Sequence, residues 1–191
     1  MDAKTFYSEA IAVATREIEE VRVEDFDHPT PDTEWSVYDL VTHMIYELAW
    51  VQDMVAGRRI EEVDAKYEGD LIGDDLQAAW ANFREAARQA IDDADLHSIV
   101  HVSYGDITLE EYLLQAGSDQ AIHAWDLGQA LSRTVVYDEE LLDALYDYAE
   151  TNVDTLQASG LFEGPLEVAD DADKQTKLLA LYGRSDQWAA A

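Results

Sequence analysis

The sequence predicts an all-α fold, a bundle of four main helices, on three observations. Apolar residues recur at i, i+3, i+4 and i+7 over several long segments. Helix-starting side chains (Ser36, Thr108, Asp138) stand directly before such segments. The one alternating stretch, residues 99–107, is only long enough for a short hairpin. With 191 residues and 48% apolar composition the chain can fill one core, and a chain of that size buries roughly 70% of its unfolded surface. No internal repeat or linker divides it, so residues 1–191 are expected to form a single domain.

Taken in order, residues 5–21 carry apolar positions at helical spacing with no breaker. The stretch DHPTPDTEW holds two of the three prolines and reads as a loop. Ser36 then caps a second helix whose apolar stripe runs through Val37, Leu40, Val41, Met44, Ile45, Leu48 and Ala49, ending before Gly57. A charged, Gly-containing connection leads to a third helix marked by Leu76, Trp80, Phe83, Ala87 and Ile91. Residues 99–107 suggest a hairpin around a Gly-Asp turn. Thr108 with Glu111 reads as a capping box opening a fourth long helix to about Leu131. Asp138 caps a fifth helix with Leu141, Leu142, Leu145, Tyr148 and Ala149 inward. Pro165 marks a loop, and a short last helix from Asp173 to Tyr182 closes at Gly183.

Charge sets this chain apart. Forty-two acidic residues against 12 basic ones give a formal net charge of −30, spread through every segment. Such a surface repels phosphate backbones and anionic lipid, which disfavours nucleic-acid and membrane-surface roles. A solvated acidic coat of the salt-adapted kind accounts for it better than a specific acidic interface, since self-repulsion keeps the chain soluble and salt screens its cost. No apolar run approaches the roughly 18 residues of a membrane span, and the N-terminus lacks a signal-peptide pattern. A cytoplasmic location is expected. Cysteine is absent, so disulfides, thiolate–metal sites and a cysteine nucleophile are excluded, and any thiol chemistry needs a thiol from outside the chain.

The chemistry-bearing residues are few. Asp119 and His123 stand at i, i+4 on the fourth helix, so both point from one face and can share an ion. The spacing alone fits a surface ion pair equally well. His43, at the edge of the second helix's apolar stripe, is placed to reach a neighbouring helix and is the third candidate. Two histidines and one carboxylate are a recurrent open metal set that leaves room for water or substrate. Glu47, four residues after His43, and Asp126, three after His123, are candidates to orient those ligands by hydrogen bonding. For both, a solvated or capping role is the competing reading. His28, His97 and His101 read as surface residues, and Ser103 and Ser118 lack a nucleophile motif. Trp35, Trp80 and Trp125 read as core.

The stretch TPDTEWSVYDLVTHMIYELAW resembles the opening motif of the DinB-like metal-binding superfamily, in the branch that contains the N-terminal domain of mycothiol-dependent maleylpyruvate isomerase. DQAIHAWDLGQAL resembles that branch's acid-x-x-x-H-x-WDLA signature, and LEVADDADKQTKLLALYGRSDQW is similar to its closing stretch. The resemblance implies a DinB-like four-helix bundle with a short β-hairpin and extra C-terminal helices. It also implies one divalent metal ion, usually Zn²⁺ or Ni²⁺, held by His43, Asp119 and His123. The acidic ligand is Asp where the isomerase has Glu, one methylene shorter. The isomerase carries a further C-terminal α/β domain that contributes to its active site. None is expected within these 191 residues, so the isomerase's specific reaction is not carried over.

Three readings follow. In the first, the protein is a metal-dependent enzyme in which a low-molecular-weight thiol, bound as thiolate, attacks an electrophilic small molecule, as in a thiol transferase or isomerase. In the second, it binds metal without catalysis, in a stress-related role. In the third, the bundle is structural and the triad empty. The expected partners are a small-molecule substrate and a thiol, and the expected assembly is a monomer or a homodimer.

Overall fold

The first backbone N–H groups of a helix lack intrahelical acceptors, and here short polar side chains supply them. The computed structural model describes residues 1–32, 34–159 and 164–188; Thr33, within the TPDTEW stretch, lies outside them. Asp2 accepts from the Thr5 amide at 3.0 Å and opens α1 (Ala3–Ile18). Ser36 and Asp39 form a reciprocal capping box at the head of α2 (Val37–Val55): each side chain accepts from the other's backbone N–H, at 3.3 and 3.0 Å. After the one-turn helix α3 (Ile60–Val63), Asp75 caps α4 (Leu76–Asp92). Strands β1 (Ile99–Val102) and β2 (Gly105–Thr108) follow. Thr108, Asp138 and Asp173 cap α5 (Leu109–Ala130), α6 (Glu139–Ser159) and α7 (Lys174–Leu181).

The four-helix bundle consists of α1, α2, α4 and α5, with α1 lying along α5 and α2 along α4. Gly117 permits the α1–α5 approach. A Cβ there would stand 2.8 Å from the Phe6 ring and 3.3 Å from the Tyr7 Cα. The α1–α4 seam is tied by Trp80, whose indole N–H donates to the Thr15 hydroxyl at 3.0 Å. Helix α6 packs on α7 and touches α1, while the hairpin sits against α2 and α5. From Tyr112 to Ala130, α5 is buried on nearly every side. It is the axis of the bundle, so any charge on its inner half must find a partner.

Two local expectations change. The hairpin register pairs Val102 with Gly105, so the turn is Ser103–Tyr104, and Gly105 and Asp106 already belong to β2. Gly105 has φ +149°, a conformation that favours glycine. The Thr108–Glu111 capping box forms only in half. Glu111 instead accepts from the Tyr148 hydroxyl on α6 at 2.8 Å, a tertiary bond that displaces the local one. The charged connection after α2 is folded onto the end of that helix. Asp53, 2% exposed, accepts from Lys66 (2.7 Å) and Tyr67 (2.5 Å) and pairs with Arg58 (3.0 Å). Val63 and Tyr67 pack there on Ala49. No described helix is long and apolar enough to cross a membrane.

Gly117→Val should lower the melting temperature. Overpacking of this kind costs about 1–3 kcal/mol, or roughly 2–4 °C per kcal/mol at this chain length. Gly117→Ala should be milder, because alanine regains about 1 kcal/mol of helix propensity. Thermal unfolding followed by circular dichroism checks the order.

Candidate metal centre

The buried face of α5 carries Asp119, His123 and Asp126, one turn or less apart. Helix α2 carries His43 on its side facing α5. The registry between the two helices is held by a bond the sequence does not announce. Gln120, 1% exposed, donates from Nε2 to the Met44 carbonyl at 3.0 Å. That lock sets His43, the residue before Met44, opposite Asp119, the residue before Gln120.

The resulting cluster is tight. His43 Nε2 lies 3.2 Å from Asp119 Oδ2, and His123 Nε2 lies 3.4 Å from Asp119 Oδ1. All three donor atoms fall within 4.8 Å of one another. A tetrahedral Zn²⁺ with bonds of about 2.0–2.1 Å holds its donors roughly 3.3–3.4 Å apart, a spacing close to that of the two histidine–carboxylate contacts. The donor chemistry fits as well: two neutral imidazole nitrogens and one carboxylate suit Zn²⁺ or Ni²⁺. His123 is 3% exposed, whereas the side chains of His43 and Asp119 keep 25% and 22%. The open side therefore faces His43. There a pocket of about 360 Å³ is walled by Trp35, Tyr38, Tyr46, Tyr67 and Leu71, with Thr42 and Asp39 at its rim.

Behind the cluster, Asp126 is fully buried and accepts from His123 Nδ1 at 3.0 Å. This carboxylate–imidazole contact commits Nδ1 and leaves Nε2 for the open side. Arg184 grips the same carboxylate, with Nη2 at 2.9 Å and Nε at 3.2 Å. A second grouping, of Asp32, His123 and Asp126, also has metal-like spacing. Arg184 Nη2 lies 2.9 Å from Asp32 as well as from Asp126, so a guanidinium already supplies the positive charge there.

Electrostatics follow the geometry. Burial disfavours a charge on Asp119, but the two imidazoles outweigh it and hold its carboxyl well below the usual range. Burial likewise opposes a charge on His123, yet Asp119 and Asp126 push its pKa up to about 10 in the metal-free protein. Asp126 is held down by His123 and Arg184 against its own burial. Glu47 behaves differently. Burial first, then the Asp119 charge, raise its carboxyl to about 7, although both imidazoles pull the other way. It has no hydrogen-bond partner among the described residues, so it does not orient His43 in the way Asp126 orients His123.

Sequence reasoning missed four neighbours of this cluster. Trp35, expected in the core, is half-buried and lies over both rings, with centroids 4.8 Å from His43 and 5.7 Å from His123. Asp32 and Arg184 come from segments distant in sequence, and Gln120 acts through backbone. The signal all four left is their place within the stretches that carry the family resemblance. Of the histidines expected at the surface, His28 and His97 are exposed, and His101 is half-buried, 2.6 Å from Asp106 across the hairpin.

Comparison with known proteins gives this geometry a context. Among curated proteins none matches the sequence. A crystal structure of a mycothiol-dependent maleylpyruvate isomerase variant superimposes with a TM-score of 0.63 at 15% identity, covering 85% of this chain and 72% of that one. At that identity the likeness establishes the fold, the DinB-like helical bundle. Residues 7–128 match the family model of the mycothiol maleylpyruvate isomerase N-terminal domain. That span runs from α1 to the end of α5 and takes in His43, Asp119 and His123. The chain belongs to the mycothiol maleylpyruvate isomerase N-terminal domain family.

Proposed function

We propose that His43, Asp119 and His123 hold one divalent metal ion, Zn²⁺ or Ni²⁺, and that the protein is a metal-dependent enzyme acting on small molecules with a low-molecular-weight thiol. The observation that carries this reading is the donor set: two imidazoles and a carboxylate within 4.8 Å, open on the side of an aromatic-walled pocket. The family supports a thiol partner, and mycothiol is the thiol named for its relative. With no cysteine in the chain, the nucleophilic sulfur must come from that co-substrate.

Bound at this site, the cation would stabilise the thiolate form of the thiol. The chain's own groups do the rest. Asp126 keeps His123 presenting Nε2, and Gln120 keeps His43 across from Asp119. Trp35, Tyr38 and Tyr46 give flat apolar walls against which a small ligand can pack beside His43. Glu47, half-buried beside Asp119, is the carboxylate placed to take the proton that a thiol gives up.

Protein purified without chelator should contain near-stoichiometric metal, and His43→Ala and His123→Ala should lose it; elemental analysis reads this directly. The loaded chain should then accelerate the reaction of a thiol with an electrophile, and His43→Ala should not. Metal without turnover would leave the binding reading and remove the enzyme. A folded chain that takes up neither Zn²⁺ nor Ni²⁺ would remove both.

Glu47 makes a separate prediction in the metal-free protein. Its folded pKa of about 7 lies above the ordinary 4.5. A raised acid costs nothing below the ordinary value, where it is protonated in both states; the destabilisation grows between the ordinary and the folded value and levels off above it. Glu47→Gln should therefore raise the melting temperature by a few degrees at about pH 8 and leave it unchanged near pH 4. Thermal unfolding of chelator-treated protein at both pH values checks the sign.

A further inference from the structure

We infer that Arg184 is the positioning residue of this centre: by clamping Asp126 and Asp32 together it fixes the face that His123 presents to the metal. The inference rests on the metal reading given above. It also places part of the site outside residues 7–128, the span that matches the family.

The clamp is visible atom by atom. Arg184 is 5% exposed, an unusual depth for a guanidinium. Its Nε lies 3.2 and 3.3 Å from the two Asp126 oxygens, and Nη2 lies 2.9 Å from Oδ2. This fork holds the carboxylate plane, and Oδ2 is also the oxygen that accepts from His123 Nδ1 at 3.0 Å. A carboxylate gripped along one edge cannot rotate away from the imidazole, so Nδ1 stays committed to Asp126 and Nε2 stays turned toward Asp119.

The same Nη2 donates to Asp32 at 2.9 Å. The Asp32 carbonyl accepts from the Trp35 N–H at 2.9 Å and from the Thr30 hydroxyl at 3.0 Å, which folds the loop that lays Trp35 over both candidate imidazoles. Arg184 itself is held from behind. Its Nη1 donates to the Tyr182 carbonyl at 3.1 Å and its N–H to the Leu179 carbonyl at 2.9 Å, at the end of a helix anchored by buried Leu178 and Leu179. The segment after residue 173 is thus connected by direct bonds to the ligand on α5 and to the loop in front of α2. A lysine can meet one of these carboxylates but cannot reproduce the fork.

The test uses the full chain and Zn²⁺ alone, titrated against a chromophoric chelator, with ¹⁵N-histidine spectra of the loaded protein as a second readout. Arg184→Lys should weaken Zn²⁺ binding by about tenfold, and Arg184→Met by roughly 10–100-fold. In both, the His123 ring signals should move away from the pattern of a protonated Nδ1 and a metal-bound Nε2. Asp32→Asn should leave affinity within a few-fold yet raise quenching of Trp35 by acrylamide. Arg88→Met, at an exposed arginine of α4, should change nothing. Arg184→Lys guards against simple unfolding of the methionine variant. If it lowers the melting temperature but leaves Zn²⁺ affinity and the His123 signals as in the wild type, Arg184 is structural only and the inference is overturned. A wild-type chain that binds no Zn²⁺ overturns the metal reading first, and this inference with it.

Discussion

The Asp119 carboxylate stands between two imidazoles that reach it from two different helices, and the packing around it is arranged to keep that charge inside the bundle. A carboxylate on the inner half of α5 would be expensive alone. It is tolerated because His43 comes from α2 at 3.2 Å and His123 from the next turn of α5 at 3.4 Å. The α2–α5 contact must therefore be accurate to a fraction of an ångström. Gln120 supplies that accuracy through a buried bond to the α2 backbone, and the capping box of Ser36 and Asp39 fixes where α2 begins.

A chain of charges runs inward from there: Asp119, His123, Asp126, Arg184 and Asp32. Signs alternate along it when His123 carries its proton, and each member of the chain contacts the next. Removing one member of a buried pair of this kind typically costs about 3–5 kcal/mol, because the other is left buried and unpaired. The arrangement is weak evidence for high stability, since well-packed apolar residues would serve that purpose as well. It is better understood as specificity of position. The network holds one imidazole in one orientation, with Trp35 laid across it.

Much of this was legible in the sequence. Periodicity located the long helices, and Ser36, Thr108 and Asp138 were legible as caps, whereas Asp2 and Asp75 were not. The spacing of Asp119 and His123 fitted a surface ion pair as well as a shared ion, and the family resemblance singled them out together with His43. Other features were illegible for physical reasons. The hairpin turn slipped from Gly-Asp to Ser103–Tyr104 because strand register depends on packing that a local pattern does not carry. Glu111 left its local capping role for Tyr148, 37 residues away. The acidic connection after α2 looked solvated, yet Asp53 collects Arg58, Lys66 and Tyr67 and folds it down. Arg184 and Asp32 are 152 residues apart, and nothing in either segment alone says that they meet.

The 76 residues between His43 and Asp119 also set an order of events during synthesis. At about 5–20 residues per second, the ribosome needs roughly 4–15 s after making the first of these side chains to make the second. The clamp from Arg184 arrives later still, 58 residues beyond Asp126. A nascent chain thus carries one isolated histidine, then a bare pair, and acquires the ordered cluster only when its last helix docks. A metal ion taken up by this cluster would reach it on the side of His43, past Trp35 and the tyrosines of α2.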